Sequence, residues 1–154
     1  MATRPKVMAV QGAALLIAAA FVIVGVLGFI PGATSHLDQL QWAGHHSGAK
    51  LFGMFAVSGL HNIVHLAFGV IGFIFARTYA AARAYLLLGG LAYIALWIYG
   101  LLMDQRSALN IMPLNDADNW LHFGLGVGML VLGLTLAGTH DPTKRPKRRT
   151  KVRT

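Results

Sequence analysis

Apolar residues fall in four long runs separated by short polar stretches, and each run has the length of a membrane crossing. They extend from about Val7 to Ile30, Leu51 to Ala76, Ala84 to Met103 and Asp118 to Gly138, the first closed by Pro31-Gly32. About 20 helical residues cross a 30 Å hydrocarbon core at 1.5 Å rise per residue, and every run meets that length. The pattern predicts an all-α polytopic membrane protein: four transmembrane helices within residues 1–138, then a tail over 139–154. The first run follows Arg4 and Lys6 as a signal peptide would. It is too long for an h-region and lacks a clear cleavage site, so it reads as a retained helix.

Composition agrees. Hydrophobic residues make up 56% and charged residues 12% of the chain, with mean hydropathy +0.60, whereas soluble domains carry about 25% charge. The absence of cysteine excludes disulfides, thiolate metal sites, iron–sulfur ligation and cysteine nucleophiles. The net charge of +8 is concentrated at one end: Lys144, Arg145, Lys147, Arg148, Arg149, Lys151 and Arg153 supply seven of the thirteen basic residues. Such a run reads as a disordered basic tail drawn to anionic lipid headgroups, at about 1 kcal/mol per basic residue, with no specific nucleic-acid partner.

Lys and Arg also set the orientation. Arg4 and Lys6, then Arg77 and Arg83, then the tail lie on one side, and only Lys50 and Arg106 lie on the other. The positive-inside rule predicts both termini in the cytoplasm of a multi-pass protein. Asp38, Asp104, Asp116 and Asp118 fall on the outer side. The first outer loop holds His36, His45 and His46, whose loose spacing and neighbouring Gly44 and Gly48 suit a solvated loop better than a metal site. In the second, Asp or Asn before the fourth run caps its helix.

Within the runs one polar pattern occurs twice. Asn62-Ile-Val-His65-Leu-Ala-Phe-Gly69-Val70 and Asn119-Trp-Leu-His122-Phe-Gly-Leu-Gly126-Val127 both read N-x-x-H-x-x-x-G-V, each preceded by a polar residue, His61 or Asp118. Imidazoles and amides are expensive in lipid, so a repeated pair marks where function sits. With this topology the second and fourth helices run the same way, as in a parallel repeat of two helical hairpins. The spacing puts Asn62 with His65, and Asn119 with His122, on one helix face. Gly69 and Gly72, Gly126, and the G-x-x-x-G of Gly124 and Gly128 then predict close helix packing, with helices two and four facing each other. Tyr93 and Trp97 share a face of the third helix and read as packing residues, with Tyr99 an interfacial anchor.

Three uses of this polar core are open. His61, Asn62, His65, Asp118, Asn119 and His122 can satisfy one another between helices, which suits a structural or accessory subunit of a larger membrane complex or homo-oligomer. His61 and His65 are spaced i, i+4, and with His122 they offer a transition-metal site, or His65 and His122 a haem. Paired titratable groups also suit a small transporter or proton relay. An enzyme is not expected: no nucleophile, dinucleotide or phosphate-loop motif occurs, and no Glu is present to pair with an Asp.

The stretch Phe52-Gly-Met-Phe-Ala-Val-Ser-Gly-Leu-His61-Asn-Ile-Val-His65-Leu66, together with Leu96-Trp-Ile-Tyr-Gly100 and Pro113-Leu-Asn-Asp-Ala-Asp118-Asn-Trp-Leu-His122, resembles the domain-of-unknown-function 4383 family. These are small four-helix membrane proteins frequent in actinobacteria. The resemblance covers about residues 5 to 138 and implies a bacterial inner-membrane protein of four helices. It carries no activity or cofactor.

Overall fold

The computed structural model describes residues 8–136. The basic tail and the N-terminal Arg4 and Lys6 lie outside them. The described chain is mostly helical, with four helices: α1 (Ala9–Leu27), α2 (Gly59–Phe75), α3 (Tyr79–Leu102) and α4 (Asp116–Thr135). Two of them, α1 with 19 residues and α3 with 24, are long and apolar enough to cross a membrane. The apolar α2 has 17 residues, and α4 opens on Asp116 and Asp118.

The second run does not stay helical. Its first residues join a small antiparallel sheet of β1 (Thr34–Ser35), β2 (Lys50–Leu51) and β3 (Phe55–Ala56), so the helix start at Leu51 is corrected to Gly59. Two residues explain the break. Phe52 and Gly53 take left-handed φ values of 53° and 70° to turn β2 into β3, a conformation that Gly53 adopts freely. Ser58 then starts α2, its hydroxyl accepting the His61 N–H at 3.2 Å. The long α1–α2 connection is likewise structured: Ala49, Leu51 and Val57 form a small core against Val24 and Leu27, and the Thr34 hydroxyl donates to Leu27 O at 2.9 Å.

The starts of α3 and α4 are also capped, by Thr78 and Asn115. Asn115 accepts from Asp118 N–H while the Asp118 carboxylate accepts from Asn115 N–H, both at 3.0 Å. This reciprocal arrangement satisfies two N–H groups that have no partner within the helix. At the opposite end of the bundle Gln11 donates to Ala76 O at 2.9 Å, tying the start of α1 to the end of α2.

The main interfaces are α1 on α2 and α3 on α4, and the two pairs join chiefly through α1 and α3. The pairs match position for position. Buried Val10, Ala13, Ala14, Ala18 and Phe21 of α1 correspond, in one constant register, to buried Ala82, Tyr85, Leu86, Gly90 and Tyr93 of α3. In the second helices His61, Asn62, His65, Gly69 and Gly72 correspond in the same way to Asp118, Asn119, His122, Gly126 and Met129. The pairs differ mainly in their connections, the longer of which carries the sheet. Outward faces are apolar, with Leu16 75% and Leu88 65% exposed, while Asn62 and Ser58 are fully buried.

Candidate functional site

The polar motif gathers at the end of the bundle that carries the sheet. The Ser58 cap fixes the first turn of α2, and His61 folds back over it, its Nδ1 lying 3.2 Å from Ala56 O. A carbonyl oxygen only accepts, so Nδ1 carries the proton and, in a neutral ring, Nε2 is an acceptor. The N–H of the same Ala56 donates to Asp118 Oδ2 at 3.0 Å. One residue of β3 therefore joins two matching positions of the hairpins, His61 and Asp118, through both of its backbone groups.

The asparagines seat against glycines. A Cβ on Gly28 would run into the Asn62 side chain, and a Cβ on Gly100 into that of Asn119, so each Asn occupies space that only glycine leaves open. Asn119 Nδ2 donates to Gly100 O at 3.1 Å. Its Oδ1 is buried without a partner, as are both amide atoms of Asn62.

His65 and His122 pack through their rings. Phe21 lies 5.7 Å from His65, Tyr93 lies 5.3 Å from His122, and Phe21 and Tyr93 stack on each other at 5.3 Å. These aromatic contacts follow the register that relates α1 to α3. His61 bridges the halves, at 4.5 Å from His65 and 6.4 Å from His122 between ring centroids. Both His65 Nδ1 and His122 Nδ1 are buried without a hydrogen-bond partner, which is a costly state for a polar atom.

The three imidazoles form a wall between two cavities. One, of about 220 Å³, lies between α1 and α4, with Phe21, Val24, Val57 and Leu121 among its lining residues. The other, of about 160 Å³, lies between α3 and α2 and is lined in part by Tyr93, Leu96, Leu114 and Val64. Those four residues are the register equivalents of the first four. His61, His65 and His122 line both cavities.

This arrangement corrects several expectations. The His, Asn and Asp side chains do not satisfy one another; their hydrogen bonds run to backbone at Ala56, Gly100 and Asn115, and several atoms have none. Helices α2 and α4 meet through the His61–His122 contact, while their glycines face other helices. Gly69 lies against Ala18 and Val22 of α1, Gly72 against Ala18 and Tyr85, and Gly126 against Ile94 of α3. Gly124 and Gly128 make no seam, since a Cβ on either meets nothing within 4 Å. Among the described residues no group of three His, Cys, Asp or Glu side chains is placed to hold a metal ion. His61 meets His65 through a tilted ring contact and His122 through an edge-on one. Nor do the cavities suit a haem, because both are smaller than the roughly 300–1,000 Å³ of cofactor-sized sites and the Phe21–Tyr93 stack links the His65 and His122 rings.

Tyr93 belongs to this site, whereas Trp97 packs on Phe123 at 4.7 Å. Sequence reasoning missed Ala56, Phe21, Gly28 and Gly100. Ala56 acts through its backbone, which leaves no side-chain signature. The other three become visible only when the repeat is extended from α2 and α4 to α1 and α3.

A family model described as Domain of unknown function (DUF4383) matches residues 11–135. Neither the curated proteins nor the solved structures give a match.

Proposed function

The chain belongs to the DUF4383 family, whose description assigns no activity, and from its own geometry we propose that it is a four-span membrane protein acting as a non-catalytic accessory subunit. The observation that carries this reading is the inverted polarity of the bundle. Leu16, Leu88, Leu102 and Leu134 are 61–83% exposed on the helix exteriors, while Asn62, Asn119, His65 and His122 are at least 93% buried. A water-soluble bundle would face its charged and polar side chains outward; lipid favours the reverse.

In this reading α2 and α4 cross the membrane as well. The 17 residues of α2 are continued by β3 and the turn before it, which cover the polar end. Ala56 and Val57 of this stretch are buried in protein, where irregular backbone is tolerated at membrane depth. The two hairpins form a parallel repeat about an axis along the membrane normal, with the histidine wall in the outer half of the bilayer and both termini in the cytoplasm of a bacterial inner membrane. The exposed apolar faces meet lipid or the other members of a complex. The basic tail adds attraction to anionic headgroups.

The accessory role is favoured over catalysis because the cavities bring together imidazoles, one carboxylate and two tyrosines but no Ser, Thr, Cys or Lys side chain. It is favoured over a proton relay because the histidines contact one another through ring faces and edges rather than through N–H···N bonds.

The test is a reporter fused to residue 154 combined with alkaline extraction of membranes. The fusion is expected to stay in the membrane pellet and to report a cytoplasmic tail. Extraction into the soluble fraction, or an external tail, contradicts the reading.

A further inference from the structure

The two cavities differ in ways that single out one of them. The chamber between α1 and α4 is the larger, at about 220 Å³, and an apolar cavity of about 150 Å³ holds a benzene ring. There is room here for one ring and a small substituent. Its walls are aromatic and aliphatic, with Phe21, Phe52 and Phe55 among them. Aromatic rings favour offset or edge-on partners over aliphatic ones of equal size.

The chamber is almost wholly apolar, and its few polar groups come from Asp118 and the imidazoles. Asp118 lines this chamber and not its counterpart. Ala56 and Asn115 both donate to Oδ2 of its carboxylate, which leaves Oδ1 as an acceptor. His61 uses its Nδ1 proton on Ala56 O, which leaves Nε2 as a second acceptor. His65 and His122, 93% and 96% buried, line it as well, and their unpartnered Nδ1 atoms are themselves buried. No Lys or Arg lines the chamber, so nothing there neutralises an anion. A charged ring would also lose hydration among apolar walls.

The chamber opens toward the exterior of the bundle. Of its lining residues, Ala20, Phe52 and Leu121 are exposed, and α1 and α4 make few contacts with each other. In the membrane reading, this apolar mouth faces lipid.

We propose that the α1/α4 chamber binds a neutral, lipid-soluble phenol: a single aromatic ring that lies against Phe21 and Phe55 and donates its hydroxyl to the His61–Asp118 end. The ligand enters from the bilayer between Ala20 and Leu121, and a chain attached to the ring can remain outside in the lipid. The counterpart chamber between α2 and α3 is smaller and has no carboxylate, so one ring binds per chain. The route of entry rests on the membrane reading above.

The probe is 4-ethylphenol, with 4-ethyltoluene as an analogue that replaces the hydroxyl by a methyl group. Full-length protein in lipid nanodiscs is titrated by equilibrium dialysis, and empty nanodiscs supply the partition background. Saturable binding of one 4-ethylphenol per chain is expected, with 4-ethyltoluene at least tenfold weaker. Ala20→Trp and Leu121→Trp fill the mouth from exposed positions and should each abolish the saturable component. Ala92→Trp, at the register equivalent of Ala20 on α3, should leave it intact. Absence of saturable binding, equal binding of the two probes, or binding that survives both mouth substitutions in helical protein overturns the proposal, as does its loss in Ala92→Trp. Protein that integrates with the expected topology but shows no saturable binding discards the phenol site and leaves the accessory reading standing. Protein that does not integrate discards the membrane reading itself.

Discussion

Replacing Asp118 by alanine is expected to destabilise the protein by about 3–5 kcal/mol, the largest effect of any single polar substitution in the bundle. The carboxylate accepts the N–H groups of Ala56 and Asn115 at 3.0 Å each, and Asp118 is itself 98% buried. A buried donor left without an acceptor costs about 1–3 kcal/mol. Two such donors are abandoned at once. The damage should also be local, because Ala56 is held on its other side by His61. Loss of the Asp118 contact therefore frees β3 and loosens the cap of the cavity end together. Asp118→Asn keeps one acceptor oxygen and should cost less, about 1–2 kcal/mol. Thermal unfolding in mild detergent, followed by helical circular dichroism, gives the ranking. Equal stability of wild type and Asp118→Ala would contradict the assigned contacts.

The second large effect comes from a single methyl group. In Gly69→Ala the added Cβ would sit 2.8 Å from Ala18 O and 2.9 Å from Val22 N. Both are backbone atoms of α1, so no side-chain rotation relieves the clash and the helices must separate. Overpacking of this kind costs about 1–3 kcal/mol. The register equivalent Gly126→Ala meets Ile94 N at 3.0 Å and should behave likewise. Gly124→Ala and Gly128→Ala point into open space and should be neutral or stabilising by up to about 1 kcal/mol, through helix propensity alone. The same unfolding measurement separates the groups. Destabilisation by Gly124→Ala equal to that of Gly69→Ala would show that α4 packs through a different face.

These glycines also mark how far the sequence could be read. The repeated N-x-x-H-x-x-x-G-V was visible because its residues are chemically conspicuous in an apolar background, and the structure does bring His61, His65, Asp118 and His122 to one place. What they do there was not legible. An i, i+3, i+4 stripe says which residues share a face but not which neighbour that face meets. Gly69 and Gly126 turned out to meet the first helix of their own hairpins. A G-x-x-x-G carries no direction either, and that of Gly124 and Gly128 points outward. The helix start at Leu51 failed for a different reason. The residues from Leu51 to Val57 are as apolar as the helix that follows, and hydropathy alone does not separate a strand turn from a helical turn. The Ser58 cap and the Gly53 turn carried the signal. The half of the repeat in α1 and α3 was hidden because its matched residues, such as Phe21 with Tyr93 and Ala18 with Gly90, share size and burial rather than identity.

The central claim is that this bundle crosses a membrane four times with the histidine wall near its outer face. The absence of cysteine makes a direct measurement possible. Single cysteines are placed at Ala80, in the first turn of α3, and at Ala108, in the α3–α4 connection, both exposed positions, and are labelled with a membrane-impermeant maleimide. In intact cells stripped of any outer barrier, Ala108→Cys is expected to react, and Ala80→Cys to react only after lysis. Equal labelling of both before lysis, or the reverse pattern, would contradict the account.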